Sequence, residues 1–385
     1  MNLKELSSQK HLFSLPAGIH YLNCAYMSPL SKQVEAAGIT GIKRKCNPTN
    51  IQPKDFFTDS DRVRSLFANL INAKDPQRIA ILPSVSYGMA IVAQNLKVTP
   101  GQNIVIADEQ FPSNVYAWSR LQEKGAILRK ITPPQSLVNR SQNWNNSIIE
   151  AIDRDTLLVA LPHVHWTDGT KFDLVEISRK VKEVGAALVI DGTQSVGALP
   201  FDLDLIRPDA LICGAYKWLL GPYSISLGYF NSRFDGGQPL EETWLGRLGS
   251  EDFSNLVNYQ SQYQPKAIRY DVGQRSNQIL LPMLIAALEH LLEWQPEKIQ
   301  AYCDRLIEPI STEAVDRGYW IEAKQWRSSH LFGLRIDRDR DIKDIQIALK
   351  DRNIFVSVRG NAIRISPHLY NDRLDISVLL TALST

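Results

Sequence analysis

The chain has 385 residues, of which 44% are hydrophobic, and its 43 basic residues nearly balance its 41 acidic ones, which leaves a net charge of +2. These values predict a globular protein with a sizeable core and argue against a nucleic-acid or membrane surface. The four cysteines form no C-x-x-C pair, which argues against a zinc site or a disulfide scaffold. Because the N-terminus lacks leader features and no apolar run is long enough to cross a membrane, we expect a soluble, cytoplasmic protein.

Apolar runs alternate with helix-like segments along the first part of the chain. Strands are predicted at 78–82, 103–107, 126–131, 156–162, 186–190, 209–213 and 224–230. Helices are predicted at 84–96, near 113–124 and at 173–185, and the polar segment 133–147 is expected to form a surface loop. Continuous apolar strands that alternate with helices indicate an α/β domain with a mostly parallel sheet.

The last third of the chain has a different pattern, which predicts a small α+β domain. Its predicted helices lie at 277–294, 297–317, 341–351 and 371–384, and its short strands lie near 330–336, 354–358 and 362–366. Pro282 must either kink the first of these helices or mark its first turn. We divide the chain into an N-terminal segment (1–25) that packs on the small domain, a large domain (26–265) and a small domain (266–385).

An aspartate and a lysine follow two of the predicted strands. Asp191 ends the strand at 186–190, and Lys217 comes just after the strand at 209–213. Because ligands bind beyond the carboxyl ends of parallel strands, both side chains are expected to face one crevice. Pyridoxal phosphate needs this pair, since a lysine amine forms a Schiff base with its aldehyde and a carboxylate keeps its ring nitrogen protonated. Either residue alone could be a turn cap or a surface lysine, but together they predict a site for this cofactor.

The motifs around these two residues resemble those of a known family. The stretches are VIDGTQSVGALPFDL (189–203) and DALICGAYKWLLGP (209–222), and the likeness extends from 18–34 to 358–372. They resemble the class V aminotransferase family of fold-type I pyridoxal-phosphate enzymes, which includes cysteine desulfurases, selenocysteine lyases, kynureninases and isopenicillin-N-epimerase-like proteins. The resemblance implies a large domain with a mostly parallel sheet flanked by helices, a small C-terminal α+β domain, and an obligate homodimer with composite active sites.

The resemblance also implies roles for individual residues. Lys217 would carry the cofactor and move the Cα proton, Asp191 would pair with the ring nitrogen, and Gln194 would bond the phenolic oxygen. The other implied cofactor contacts are Ser84, Val85, Ser86, Phe111, His163, Tyr216, Trp244 and Ser276. The implied substrate contacts are Arg364, which would clamp the α-carboxylate, with Asn277 and Asn23, and no metal is implied. A serine N-cap, a core phenylalanine and a packed tryptophan remain ordinary alternatives for several of these positions.

The expected function is that of a pyridoxal-phosphate enzyme of the aminotransferase or lyase type. It would act on an amino acid through an external aldimine and a Cα carbanion. A kynureninase-like hydrolase, an epimerase and a catalytically silent cofactor-binding relative stay open. Cysteine desulfurase chemistry is disfavoured because no cysteine lies between residues 320 and 370. His165 and Trp166 are expected to point toward the substrate side, and Arg359 is a weaker alternative to Arg364.

Overall fold

The computed structural model describes residues 5–336 and 342–384. Its strands are β1 His20–Tyr21, β2 Ile79–Leu82, β3 Asn103–Ala107, β4 Ile127–Ile131, β5 Thr156–Pro162, β6 Ala187–Asp191, β7 Ala210–Gly214, β8 Ser226–Phe230, β9 Trp320–Ile321, β10 Phe332–Arg335, β11 Ile354–Phe355, β12 Ser357–Arg359 and β13 Ala362–Ile365. Its helices are α1 Lys32–Cys46, α2 Thr58–Leu70, α3 Val85–Asn95, α4 Tyr116–Ser119, α5 Arg140–Glu150, α6 Leu174–Val184, α7 Leu203–Ile206, α8 Leu280–Trp294, α9 Pro296–Asp316, α10 Ile342–Asp351 and α11 Arg373–Ala382.

The large sheet has seven strands in the order β2-β8-β7-β6-β5-β3-β4. Strand β8 runs antiparallel to both of its neighbours, and every other adjacent pair is parallel. The strands predicted for this sheet are confirmed, with small shifts of their ends. Every residue of β6 and β7 is buried, as expected for strands covered by helices on both faces.

Helix α3 lies directly on this sheet because of a glycine. A Cβ atom on Gly88 would come within 2.8 Å of the Ile212 side chain on β7, so only glycine allows this close approach. Ser84 caps the N-terminus of this helix, and its side chain accepts a hydrogen bond from the Tyr87 backbone amide. This packing places the N-terminus of α3 at the carboxyl edge of the sheet.

Two predictions about this half of the chain are wrong. The helix predicted near 113–124 is instead the short helix α4 between two 3₁₀ turns. Side chains there form hydrogen bonds to each other and to the backbone. The side-chain amide of Gln110 donates to the backbone carbonyl of Asn114, and the Trp118 indole donates to the side-chain oxygen of Asn114. Such bonds compete with regular helical bonds, which explains the irregular segment.

The second wrong prediction is the surface loop at 133–147, because helix α5 begins at Arg140. Trp144 and Ile148, which are one helical turn apart, are fully buried. Ser141 is also buried, and its amide and hydroxyl both bond to the Glu322 carboxylate. Polarity misled the sequence-based prediction because these polar side chains are satisfied inside the protein.

The small domain contains an antiparallel sheet in the order β12-β13-β10-β9, with α9 and α11 packed against each other beside it. Near the N-terminus, β1 pairs with β11 in parallel register, and the Gln9 amide donates to the Leu369 carbonyl. Helix α8 packs on α1 and α2, which were not predicted, and Pro282 lies in its first turn. The boundaries at 25/26 and 265/266 stay a prediction. Within the described residues, no helix is both long and apolar enough to span a membrane.

Candidate active site

A cavity of about 430 Å³ opens at the carboxyl edge of the large sheet. Residues that end or follow β2, β3, β5, β6 and β7 line it, which is the position expected for a ligand site in a parallel sheet. The predicted site residues that line it are Ser84, Val85, Ser86, Phe111, Asp191, Gln194, Tyr216 and Lys217. The structure therefore brings together residues that are up to 133 positions apart in sequence (84 to 217).

Lys217 is buried at the floor of this cavity. Its Nζ atom lies 5.4 Å from the centre of the Phe111 ring and 5.3 Å from that of Tyr216. Burial, reinforced by repulsion from Arg364, lowers the pKa of Lys217 to about 8, while attraction to Asp191 opposes the shift. A larger share of the amine is therefore unprotonated, and nucleophilic, near neutral pH than for an ordinary lysine.

Asp191 is a buried carboxylate whose surroundings lack a full counter-charge. Its Oδ1 atom accepts a hydrogen bond of 3.0 Å from the Thr193 amide, and in the described part of the chain it forms no ion pair. Burial raises the pKa of Asp191, although Thr193 and Lys217 oppose the shift. A buried carboxylate of this kind suits a cationic partner, and the protonated ring nitrogen of pyridoxal phosphate is such a group.

The amide of Gln194 is held in one orientation. Its Oε1 atom accepts a hydrogen bond of 2.9 Å from the Trp218 indole, and its Nε2 atom donates to the Ala25 carbonyl at 3.1 Å. The indole can only donate, so it identifies the oxygen end of the amide. One N–H of Gln194 remains for a ligand in the cavity.

The N-terminus of α3 forms the polar wall of the cavity. The Ser84 and Ser86 hydroxyl oxygens lie 3.0 Å apart, and Val85 is the first residue of the helix. The free amides and the positive end of the helix dipole make this an anion site, which fits a phosphate group. Together with the acid of Asp191 and the amine of Lys217, the donor set fits pyridoxal phosphate.

The opposite wall of the cavity is aromatic. The Phe111 ring packs edge-on against Trp166, with 5.5 Å between the ring centres. The Trp166 indole donates a hydrogen bond of 2.7 Å to the Glu109 carbonyl, which holds it beside the cavity that it lines. Trp166 thus lines the cavity, and its position on the substrate side stays a prediction.

The two histidines near Trp166 do not line this cavity. Pro162 and Val164 line it, whereas His163 between them packs edge-on against Phe201, and burial lowers its pKa to about 3. His165 is fully buried against Trp144, and burial lowers its pKa to about 4. The prediction that His165 faces the substrate side is wrong, because alternate residues of an extended segment point to opposite sides.

Five more predicted residues do not line the cavity of their own chain: Trp244, Ser276 and Asn277, and also Arg364 and Asn23. Trp244 packs against Phe56, Phe57 and Phe253, and the Ser276 hydroxyl donates to the Phe56 carbonyl. Asn277 accepts hydrogen bonds from two backbone amides at the start of α8.

Arg364 and Asn23 are connected through a serine. The Ser357 hydroxyl donates to Asn23 Oδ1 at 2.9 Å, and Arg364 Nη2 donates to that hydroxyl at 3.2 Å. Arg364 Nη1 also donates to the Trp166 carbonyl at 2.8 Å, so the guanidinium is anchored beside the aromatic wall. Burial and repulsion by Arg359 lower the pKa of Arg364 to about 10.

Several lining residues were not predicted from the sequence, among them Gln110, Ser113, Thr193, Tyr223 and Ser224. All of them lie in the irregular segments that follow strands, where no hydrophobic period marks them. Ser224 has a φ of 66°, and the nearby Leu220 and Glu109 have φ values of 53° and 56°. Strained backbone of this kind gathers at functional sites, but it has no signature in one sequence.

All four cysteines belong to the described residues, and none lines the cavity. Cys24 is the one bonded to the Lys217 backbone, with its Sγ atom 3.9 Å from that carbonyl oxygen, and burial raises its pKa to about 12. A buried, protonated thiol is a poor nucleophile.

Comparisons with known proteins agree with this geometry. The model of the family described as aminotransferase class-V matches residues 52–379. An uncharacterised aminotransferase of Bacillus subtilis, YcbU, is 26% identical over 321 residues, which cover 83% of this chain and 82% of YcbU.

Solved structures share the whole fold. A cysteine desulfurase from Thermococcus onnurineus NA1 superposes with a TM-score of 0.83 at 17% identity, covering 99% of this chain and 98% of the desulfurase. A C-DES mutant with glycine covalently linked to its pyridoxal-phosphate cofactor gives a TM-score of 0.84 at 19% identity, covering 98% and 99% of the two chains. Because a desulfurase is among these neighbours, the expectation against desulfurase chemistry is not confirmed.

Proposed function

The chain belongs to the class-V aminotransferase family and is a pyridoxal-phosphate enzyme, and on that premise we propose that it acts on a free amino acid as an aminotransferase or lyase. The observation that carries this proposal is the meeting of buried Lys217 and buried Asp191 at the ends of neighbouring strands in one cavity. A catalytically silent relative would have no need of both groups.

Pyridoxal phosphate supplies an aldehyde that captures amines and a protonated ring that withdraws electrons from the substrate Cα. Lys217 would hold the cofactor through Nζ and then accept the Cα proton at the same atom. Asp191 would hold the proton of the ring nitrogen, and Gln194 would donate to the phenolic oxygen.

Other residues of the cavity would fix the position of the cofactor. Ser84, Val85 and Ser86 would bind its phosphate with amides and hydroxyls, assisted by Tyr216. Phe111 would stack on its ring. His163 faces away from the cavity, so its predicted contact has no support from the geometry.

Arg364 would bind the substrate α-carboxylate. Its Nε atom is buried without a partner in the described chain, and its two Nη atoms each make one bond and retain further N–H donors. A planar guanidinium with donors to spare is suited to a carboxylate.

We expect the holoenzyme to change its visible spectrum with L-amino acids and to release products that identify the reaction. Keto acid with transfer of the amino group indicates an aminotransferase, while pyruvate, alanine, sulfide and anthranilate separate the lyase, desulfurase and kynureninase-like reactions.

Arg364→Gln should raise KM by about 10- to 100-fold, because a charge-assisted bond to the carboxylate is lost. Arg364→Lys is the matched control that keeps the charge. A holoenzyme whose spectrum no amino acid alters would contradict the proposal.

The proposed enzyme is a homodimer with composite active sites. The segment from Trp244 to Tyr259 exposes large apolar side chains, and Leu248, Val257 and Tyr259 are among the most exposed. Several exposed apolar side chains in one segment support a protein interface there. Trp244, Ser276 and Asn277 stand apart from the cavity of their own chain, which suits contacts to a partner's cofactor.

Mixing two inactive variants tests this arrangement. In a composite dimer, co-expressed Lys217→Ala and Ser276→Asp chains form mixed dimers with one intact site, so roughly a quarter of wild-type activity should return. Sedimentation should give twice the mass of one chain. If both residues serve the same chain's site, every site carries a defect and no activity returns.

A further inference from the structure

A second, larger cavity adjoins the one around Lys217. It has a volume of about 890 Å³ and shares Gln110 and Trp166 with the first cavity. Three arginines line it: Arg140, Arg335 and Arg359. A substrate held at Lys217 could therefore extend past Trp166 into a space whose walls carry three arginines.

Two of these arginines already have a counter-ion. Arg140 Nη1 lies 3.0 Å from the Asp168 carboxylate, and Arg335 bonds to the same carboxylate. Asp168 is buried, so this group of three is a fixed part of the wall. Glu109 also lines the cavity, but it is exposed to solvent.

Arg359 differs from these two because it makes no ion pair with a described residue. Its Nη1 atom donates to the Val358 carbonyl at 2.8 Å, and its Nε atom is buried without a hydrogen-bond partner among the described groups. The guanidinium is held over the Trp166 ring, 5.2 Å from the ring centre. A stacked guanidinium keeps its N–H edge available, which makes it a ready anion-binding group.

Arg359 also belongs to the surroundings of the reacting lysine. Its positive charge contributes to the lowered pKa values of both Lys217 and Arg364. Trp166 connects the two cavities, because its ring contacts Phe111 on one side and Arg359 on another. Arg364 lines neither cavity, but it is bound to the backbone of Trp166, which lines both.

We propose that Arg359 is a second anion-binding group of the substrate pocket, so that the preferred substrate is an amino acid whose side chain carries its own carboxylate. This inference rests on the proposed function, in which Arg364 binds the α-carboxylate. The two arginines lie on adjacent strands of one hairpin, where Arg359 pairs with Ala362 and Arg364 pairs with Ser357. They would thus bind the two ends of one dicarboxylic substrate.

The test compares acids with their amides, which have nearly the same shape. For the holoenzyme, we expect kcat/KM for L-glutamate or L-aspartate to exceed that for L-glutamine or L-asparagine by about 10- to 100-fold. Arg359→Gln should lower kcat/KM much more for the acids than for the amides and so remove most of this preference, and Arg359→Lys should keep part of it. Glutarate should also bind the holoenzyme more tightly than butyrate by calorimetry, and the difference should vanish in Arg359→Gln. Arg179 is exposed on helix α6, and Arg179→Gln removes one charge there as a control. It should change neither the acid-to-amide ratio of kcat/KM nor the difference in affinity between glutarate and butyrate.

Each other outcome has a distinct meaning. If the amides react as well as the acids, or if Arg359→Gln weakens all substrates equally, Arg359 is not a side-chain site and the inference fails, while the proposed function stands. If no amino acid changes the spectrum of the holoenzyme, the proposed function itself fails.

Discussion

Replacing Lys217 by alanine is expected to abolish covalent attachment of pyridoxal phosphate and to lower kcat by about 10⁴-fold, because the variant loses both the amine and the base at Cα. Borohydride reduction followed by peptide mass analysis should locate the cofactor on Lys217 in the wild type and find no adduct in Lys217→Ala. The cofactor could still bind through its phosphate and ring contacts, so the variant should remain folded.

A matched control distinguishes this lysine from others. Burial also lowers the pKa of Lys182, but that residue lies on α6 and does not line the cavity. Lys182→Ala should keep the adduct and the activity. An adduct that persists in Lys217→Ala, or disappears in Lys182→Ala, would place the reactive amine elsewhere.

The pH dependence of attachment gives a further check on Lys217. Only the neutral amine attacks the aldehyde, so the rate of attachment to cofactor-free protein rises with pH through the pKa of the amine. With that pKa lowered to about 8, the rate should level off above about pH 8. A rate that still climbs near pH 10 would mean that the lysine is not desolvated as the structure has it.

Asp191→Asn should have the second largest effect, with kcat falling by about 10²- to 10³-fold. The amide keeps the size of the carboxylate but removes the charge that would hold the ring nitrogen protonated. Affinity for pyridoxal phosphate should fall as well, which equilibrium titration of the cofactor-free protein would measure.

Asp191→Asn should lower activity, but it should not lower the thermal stability of the cofactor-free protein. Burial raises the folded-state pKa of Asp191 above its unfolded value, so ionising this group at neutral pH costs stability. Asp191→Asn removes that cost, so the melting temperature of the cofactor-free variant at pH 7 should equal or exceed that of the wild type. Asp191→Glu, which keeps the charge, should retain more activity than the amide. Full activity in Asp191→Asn would contradict the assignment to the ring nitrogen.

The sequence predicted the strands of the large sheet because most of them are continuous apolar runs between polar turns, although β4 contains Arg129 and Lys130. It also predicted the meeting of Asp191 and Lys217, since the geometry of parallel strands brings successive carboxyl ends together. The helix predicted at 173–185 is α6, and Gly185, with a φ of 76°, ends it as a C-cap.

Other features depend on contacts that one sequence does not display. Helix α5 contains polar residues that are satisfied by distant partners such as Glu322, so its pattern imitates a loop. The sequence predicted that His163 and His165 lie in the cleft. After β5 it is instead the alternate residues Pro162, Val164 and Trp166 that line the cavity, and both histidines point away from it. Arg359 gains its importance from Trp166, which is 193 positions away in sequence (359 against 166).

Arg359 and Arg364, the two proposed substrate-binding residues, belong to the β12–β13 hairpin, whereas residues that end or follow strands of another sheet line the cavity around Lys217. The hairpin turns at Gly360, with a φ of 58°, and Asn361, which is solvent-exposed. Substitutions in this hairpin are therefore expected to leave the strand ends of the large sheet in place. On the proposed function, they would alter which amino acid is accepted without rebuilding the residues around Lys217.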